Sequence, residues 1–175
     1  MEGFLNPEEV LNQLELREDM IVVDFGSGSG GWSLPLAQRL KRGKVYAIDI
    51  LEEPLSALRG KAEHEGIFNI KTILSDIEKK GGSKLPDNSC DLVLMTNLLF
   101  QVEDKKGVME EGKRVLKKEG RILVVDWKKE STFGPQSGRI SAEEVKKIAK
   151  ELGFEVEKEF SAGSCHYALL LRKVE

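Results

Sequence analysis

Ile21-Val22-Val23-Asp24-Phe25-Gly26-Ser27-Gly28-Ser29-Gly30-Gly31 is the stretch from which the fold can be read. An apolar, β-branched run ends in an acid, and a burst of glycines leads into an amphipathic pattern that begins near Trp32. A buried strand followed by a tight turn and a helix produces this order. Glycine at positions 26, 28 and 30 removes side chains that would hold a ligand off the backbone and permits dihedrals that other residues resist.

Two cofactor classes use such a turn. Gly26-x-Gly28-x-x-Gly31 fits the dinucleotide fingerprint, with Asp49 23 positions beyond Gly26 as the ribose-binding acid. Asp24 separates the two classes. A carboxylate at the tip of the first strand repels a pyrophosphate but suits a ligand carrying a sulfonium and a free ammonium group. Asp24-x-Gly26-x-Gly28-x-Gly30 resembles the first motif of class I S-adenosylmethionine-dependent methyltransferases at every position.

The pattern repeats along the chain. Lys44 to Asp49 and Asn69 to Asp76 read as the second and third strands, each ending in an acid. Open α/β sheets bind ligands at such strand ends. Asp24, Asp49 and Asp76 together offer acceptors to a donor-rich, cationic nucleoside. The resemblance implies a cofactor set of Asp24, Gly26, Ser27, Gly28 and Gly30 from the first turn, Asp49 and Ile50 from the second strand end, and Ser75, Asp76 and Ile77 from the third. In this family the acid at 49 holds the ribose hydroxyls and the acid at 76 faces the adenine amine. Thr96 and Asn97, ending the fourth strand that starts at Cys90, complete the set, with backbone carbonyls placed for the methionine ammonium.

Two further segments are similar to small-molecule methyltransferases of the ubiquinone/menaquinone-biosynthesis type. Leu85-Pro86 with Cys90-Asp91-Leu92-Val93 is similar to their LPxxxxxFDLV segment, and Glu111-Gly112-Lys113-Arg114-Val115-Leu116-Lys117 is similar to E-x-x-R-V-L-K. Glu119 replaces one glycine of the pair that usually follows. Phe100-Gln101 stands where relatives carry histidines, which removes a ready general base. The resemblance implies a seven-stranded, mostly parallel Rossmann-like α/β sheet of order 3-2-1-4-5-7-6. One strand is antiparallel, and helices lie on both faces.

The remaining elements follow from capping and periodicity. Asn6-Pro7-Glu8-Glu9 opens a short helix that either covers the cofactor or caps the sheet. Glu52 to Gly66 reads as a helix in which His64 is solvated, and Val102 to Lys118 as another. Arg121 to Trp127 is the fifth strand, Lys128 to Ile140 a long loop, and Ser141 to Glu144 the capping box of the last helix. Phe154 to Phe160 and Cys165 to Arg172 form a hairpin in which one of His166 and Tyr167 faces inward and the other outward. Phe100, Trp127 and His166 are the candidate acceptor-side residues, Trp127 offering an aromatic face to a cation.

Composition sets the outer bounds. The 175 residues fit a single domain, with residues 1–19 as an N-terminal cap and 20–175 as the core. With 27 basic against 30 acidic residues and a net charge of -3, no phosphate-tracking surface is advertised, so nucleic acid is not the expected partner. No apolar run reaches membrane length and the N-terminus lacks a signal peptide's basic region, so a soluble, cytoplasmic protein is expected. Cys90 and Cys165 read as buried thiols, with no metal site. The expected activity is methyl transfer from S-adenosylmethionine to a small molecule. Two other readings stand beside it: a non-catalytic S-adenosylmethionine-binding partner protein, and an NAD-linked oxidoreductase.

Overall fold

The computed structural model describes residues 3–174. The elements run α1 (Pro7–Leu11), β1 (Ile21–Phe25), α2 (Ser33–Arg39), β2 (Lys44–Asp49), α3 (Glu52–Glu65) and β3 (Ile70–Leu74), followed by β4 (Cys90–Thr96), α4 (Lys105–Val115), β5 (Leu116–Trp127), α5 (Ala142–Glu151), β6 (Phe154–Ala162) and β7 (His166–Lys173). All seven strands join one sheet of order β3-β2-β1-β4-β5-β7-β6. The expected order is therefore met. β7 is the antiparallel strand, inserted between β5 and β6.

The apolar run at the start of the chain becomes the middle of this sheet. Parallel neighbours on both sides bury Val22, Val23 and Phe25 completely, which is why the run does not alternate with polar residues. Chain direction across the sheet reverses between β1 and β4, leaving a crevice at their C-terminal ends.

One face packs Val10 and Leu11 of α1 and Leu36, Ala37 and Leu40 of α2 onto Val22, Leu94 and Val125. α3 lies beside α2, where Gln38 bonds Glu65, and rests on β2 and β3. The other face packs Val108 and Met109 of α4 and Val145 and Ala149 of α5 onto Val93, Met95 and Val124. Asn6 caps α1 by accepting from Glu8 N at 3.0 Å. Glu8 then pairs with Arg39, so α1 caps the α2 face. None of its residues lines the cleft described below.

Four expectations need correction. The expected fourth helix spans Val102 to Lys118, but α4 starts at Lys105, capped by Asp104, and ends at Val115, because the turn before β4 claims its last carbonyls: Asn88 N donates to Arg114 O at 3.0 Å and Ser89 N to Val115 O at 2.8 Å. Leu116 is already paired with Cys90, so β5 starts five residues before the expected Arg121. His166 and Tyr167 do face opposite sides, yet both are buried, since the sheet is covered on each face. Cys90 is buried as expected, whereas Cys165 is half-buried beside the hairpin turn. His64 is exposed on α3.

The E-x-x-R segment has a structural task. Glu111 accepts from Ser83 N at 3.1 Å and from Arg114 at 2.7 Å, while Arg114 also donates to Leu85 O at 2.8 Å. Together they anchor the turn before β4 to α4. These partners hold the Glu111 carboxyl below its ordinary range against the opposing effect of burial.

Candidate functional site

The glycine turn is held from two sides. Ser27 N donates to Ile48 O at 2.9 Å, and Gly28 N donates to Asp49 Oδ2 at 2.8 Å. The second strand's acid therefore shapes the first strand's turn while keeping lone pairs for a ligand. The three glycines do different things. A Cβ on Gly30 would stand 2.3 Å from Leu58 Cδ1, so its absence seats α3. A Cβ on Gly28 would meet nothing within 4 Å, which leaves this backbone open to an approaching ligand.

Asp24 is fully buried. Ser33 Oγ, in the first turn of α2, donates to its Oδ2 at 2.7 Å, while Oδ1 has no partner among the described residues. Burial, opposed by Ser33 and reinforced by the Asp49 charge, pushes the Asp24 carboxyl up to about 7. An unpaired buried carboxylate oxygen fits a cationic group brought in from outside. It also fills the start of α2, where a dinucleotide pyrophosphate would otherwise rest.

Beside the turn is a cleft of ≈ 300 Å³, lined by Gly26, Asp49, Ile50, Ser75, Asp76 and Ile77, with Glu78, Leu98, Gln101 and Val102 completing its walls. The structure thus brings the second and third strand ends together around one space, and its charged lining residues are all acidic. Leu51 N donates to Asp49 Oδ1 at 3.0 Å, and Glu78 N to Asp76 Oδ1 at 3.0 Å. Ser27, Gly28, Gly30, Thr96 and Asn97 do not line this space, nor does Asp24.

Asn97 lies at the end of β4 with a φ of 49°. Its carbonyl, expected to face the methionine ammonium, accepts from Gln101 Nε2 at 2.7 Å, and its Oδ1 stands 2.9 Å from His166 Nε2. The Trp127 and His166 rings lie 4.1 Å apart, centroid to centroid. Phe100 N donates to Asp126 Oδ2 at 3.3 Å, and Trp127 N to Asp126 Oδ1 at 2.8 Å. Burial pushes the Asp126 carboxyl up to about 6 against these backbone bonds. The loop over this region is knitted by Arg139, which donates to Lys128 O at 3.1 Å and Ser131 O at 2.6 Å.

Sequence reasoning missed Ser33, Leu98, Gln101 and Asp126. Asp126 carried a signal, since it is one more acid at a strand end, next to Trp127. Ser33 carried none, because its role depends on how the turn folds back. A second cleft, of ≈ 210 Å³, lies at the opposite edge of the sheet near Asp91, Arg121 and Glu157. Most of its charges are already engaged: Arg121 Nη2 donates to Glu157 at 2.8 Å, and Asp91 accepts from Ile21 N at 2.8 Å and Lys117 at 3.1 Å. Asp91 accordingly ties the starts of β1 and β4 together. Among the described residues no group of three His, Cys, Asp or Glu could hold a metal ion, and no helix is long and apolar enough to cross a membrane.

A family model described as a methyltransferase domain matches residues 16–167. The crystal structure of a SAM dependent methyltransferase from Aquifex aeolicus is 31% identical with a TM-score of 0.87, covering 97% of this chain and 90% of that one. The chain belongs to the S-adenosylmethionine-dependent methyltransferase family. This methyltransferase is also 32% identical over 116 residues to the ubiquinone/menaquinone biosynthesis C-methyltransferase UbiE of Hydrogenovibrio crunogenus, covering 65% of this chain and 44% of that protein. The UbiE of Paraburkholderia phymatum is 33% identical over 67% of this chain and 47% of its own length. The methyltransferase therefore spans less than half the length of these curated relatives. The [4+2]-cyclase SpnF shares its fold at a TM-score of 0.83 and 16% identity. Sheet topology alone thus does not fix the chemistry, and family membership carries the cofactor assignment. Family membership and the placement of Asp24 together set the NAD-linked reading aside.

Proposed function

We propose that this methyltransferase moves a methyl group from S-adenosylmethionine to a small molecule and leaves S-adenosylhomocysteine. The observation that carries this is the buried Asp24 carboxylate, whose Oδ1 has no partner among the described residues. That oxygen accepts from the methionine ammonium. Asp49 accepts from the ribose hydroxyls with the lone pairs left by Gly28 N and Leu51 N. Asp76 faces the adenine amine, and Ile50 and Ile77 bracket the ring. Gly26, Ser27, Gly28, Gly30 and Ser75 shape this cradle, and Thr96 and Asn97 border it at the end of β4.

S-adenosylmethionine supplies a methyl already activated on a sulfonium, so the protein's share is alignment and exclusion of water. Phe100, Trp127 and His166 serve the acceptor on the far side of Asn97. The near balance of 27 basic and 30 acidic residues supports an acceptor other than nucleic acid and a soluble, cytoplasmic setting. Residues 1–19 act as a cap and 20–175 as the working core of one domain. Relatives named as C-methyltransferases make carbon acceptors the first to screen.

The test is S-adenosylhomocysteine release across a small-molecule library, with calorimetric titration of S-adenosylhomocysteine. Turnover with at least one acceptor is expected. Tight binding with no turnover on any acceptor would instead favour a cofactor-binding partner protein.

A further inference from the structure

His166 opens β7 opposite Trp127 of β5 and is 4% exposed. Its Nε2 faces Asn97 Oδ1 at 2.9 Å. An amide oxygen only accepts, so Nε2 carries the hydrogen and Nδ1 is left as a bare lone pair. Nδ1 is buried and has no partner among the described residues. Buried acceptors are ordinarily satisfied, so one that is not calls for a donor from outside the chain.

The surroundings narrow that donor. The Trp127 ring stands tilted by 40° against the imidazole, so the bare nitrogen belongs to one of two flat groups packed together. The Lys128–Ile140 loop packs on the Trp127 ring: a Cβ on Gly134 would sit 2.5 Å from it, and the Arg139 guanidinium lies 5.8 Å from the ring centroid. Burial first, then Lys128 and Arg139, lower His166 to about 4, so the imidazole is neutral near pH 7 and its lone pair is available. Asn97 joins this pair to the end of β4, beside the cofactor turn of β1.

We propose that His166 Nδ1 accepts a hydrogen bond from the methyl acceptor, which is a flat small molecule bearing an O–H or N–H beside the methylated atom. The assignment deepens, and rests on, the methyl-transfer reading. Asn97 is the positioning residue, because its Oδ1 fixes the tautomer that leaves Nδ1 bare.

The chain has only two histidines, so histidine-labelled protein gives two resolvable imidazoles, with exposed His64 as internal control. Phenol and aniline are titrated into protein saturated with S-adenosylhomocysteine, against anisole and N,N-dimethylaniline, which lack the donor. The nitrogen resonance of His166 Nδ1 is expected to move with phenol or aniline only, and that of His64 with none. His166→Gln, which keeps a group near the Nε2 position and removes Nδ1, is expected to weaken phenol at least tenfold while S-adenosylhomocysteine affinity stays within twofold. His166→Asn, which returns an oxygen near Nδ1, is expected to recover part of that loss. The labelled wild type keeps the test decisive if either variant fails to fold.

Equal responses to donors and to their methylated counterparts, no response to any probe, or parallel loss of cofactor binding in His166→Gln would overturn the assignment. S-adenosylhomocysteine release from any acceptor without a His166 response keeps methyl transfer and removes His166. A His166 response with no turnover on any acceptor does the reverse.

Discussion

Asp24 gives up hydration that no other group of the chain fully restores. Its carboxyl, pushed up to about 7 mainly by burial, makes the empty protein less stable wherever Asp24 is ionised. The native state holds a proton that the unfolded chain has released, so this group's contribution to stability falls as pH rises from about 4 to about 7. Asp24→Asn is therefore expected to raise stability at pH 8 by on the order of 2 kcal/mol and to match the wild type at pH 4, where both states hold the proton. It should also weaken S-adenosylhomocysteine at least tenfold. Urea melts at the two pH values and calorimetry read both effects; a variant that binds normally removes Asp24 from the site. Glu119 shows the same economy in the backbone. It stands at a φ of 63°, a conformation that favours glycine, and is held by Arg172 at 2.7 Å. Glu119→Gly is expected to stabilise the chain by about 0.5–1 kcal/mol in denaturant melts, less what the exposed ion pair returns. At this scale the acids at strand ends were legible because a charge after an apolar run has few structural uses. Ser33 and Gln101 were not, since hydroxyls and amides take their meaning from partners brought close by folding.

Between residue and fold, the glycine turn is two devices in one segment. Gly30 makes room for Leu58 of α3, and Gly28 leaves open space at a φ of 55°. Gly30→Ala is expected to cost about 2–3 kcal/mol, because a Cβ displaces a packed leucine and the backbone is strained as well. Gly28→Ala should cost about 1 kcal/mol of stability yet lose cofactor affinity by a larger factor than Gly30→Ala. Denaturant melts paired with titrations compare the two variants; identical ratios would mean that both glycines serve packing alone. Spacing announces that such a turn exists, but it cannot divide the labour among its glycines. The same limit explains α4. Periodicity carries that helix through Lys118, since Val115 and Leu116 fit an inward stripe, whereas a turn 26 residues earlier in the chain ends it by bonding its last carbonyls. Long-range hydrogen bonds of this kind leave no local pattern.

For the molecule as a whole, several buried titrating groups pull in opposite directions. Asp24 at about 7 and Asp126 at about 6 make stability fall as pH climbs from about 4. His166 at about 4 does the opposite up to about 6.5, because the unfolded imidazole binds a proton that the native one refuses. Above pH 6.5 the Asp24 contribution is the main carboxylate contribution still changing, with the end of the Asp126 titration beneath it. Stability of the empty protein is therefore expected to decline between pH 6.5 and 8, and saturation with S-adenosylhomocysteine should flatten that decline by pairing the carboxylate. Midpoints of urea denaturation across this range measure it, and a decline unaltered by ligand would contradict the pairing. Strand order was the most legible feature at this scale, because the run of motifs from the glycine turn to the closing hairpin matches one sheet topology throughout. The packing of α1 was less so, since a short capped helix reads alike wherever it docks.

The insertion of β7 has a consequence for biosynthesis. Every other neighbour of β5 and β6 is translated before them or with them, but the strand that bridges the two comes off the ribosome last among the sheet's members. Until then Arg121 to Trp127 present a bare apolar margin, able to recruit a foreign strand. Chaperone dependence of the nascent chain should accordingly end when His166 to Lys173 leave the exit tunnel.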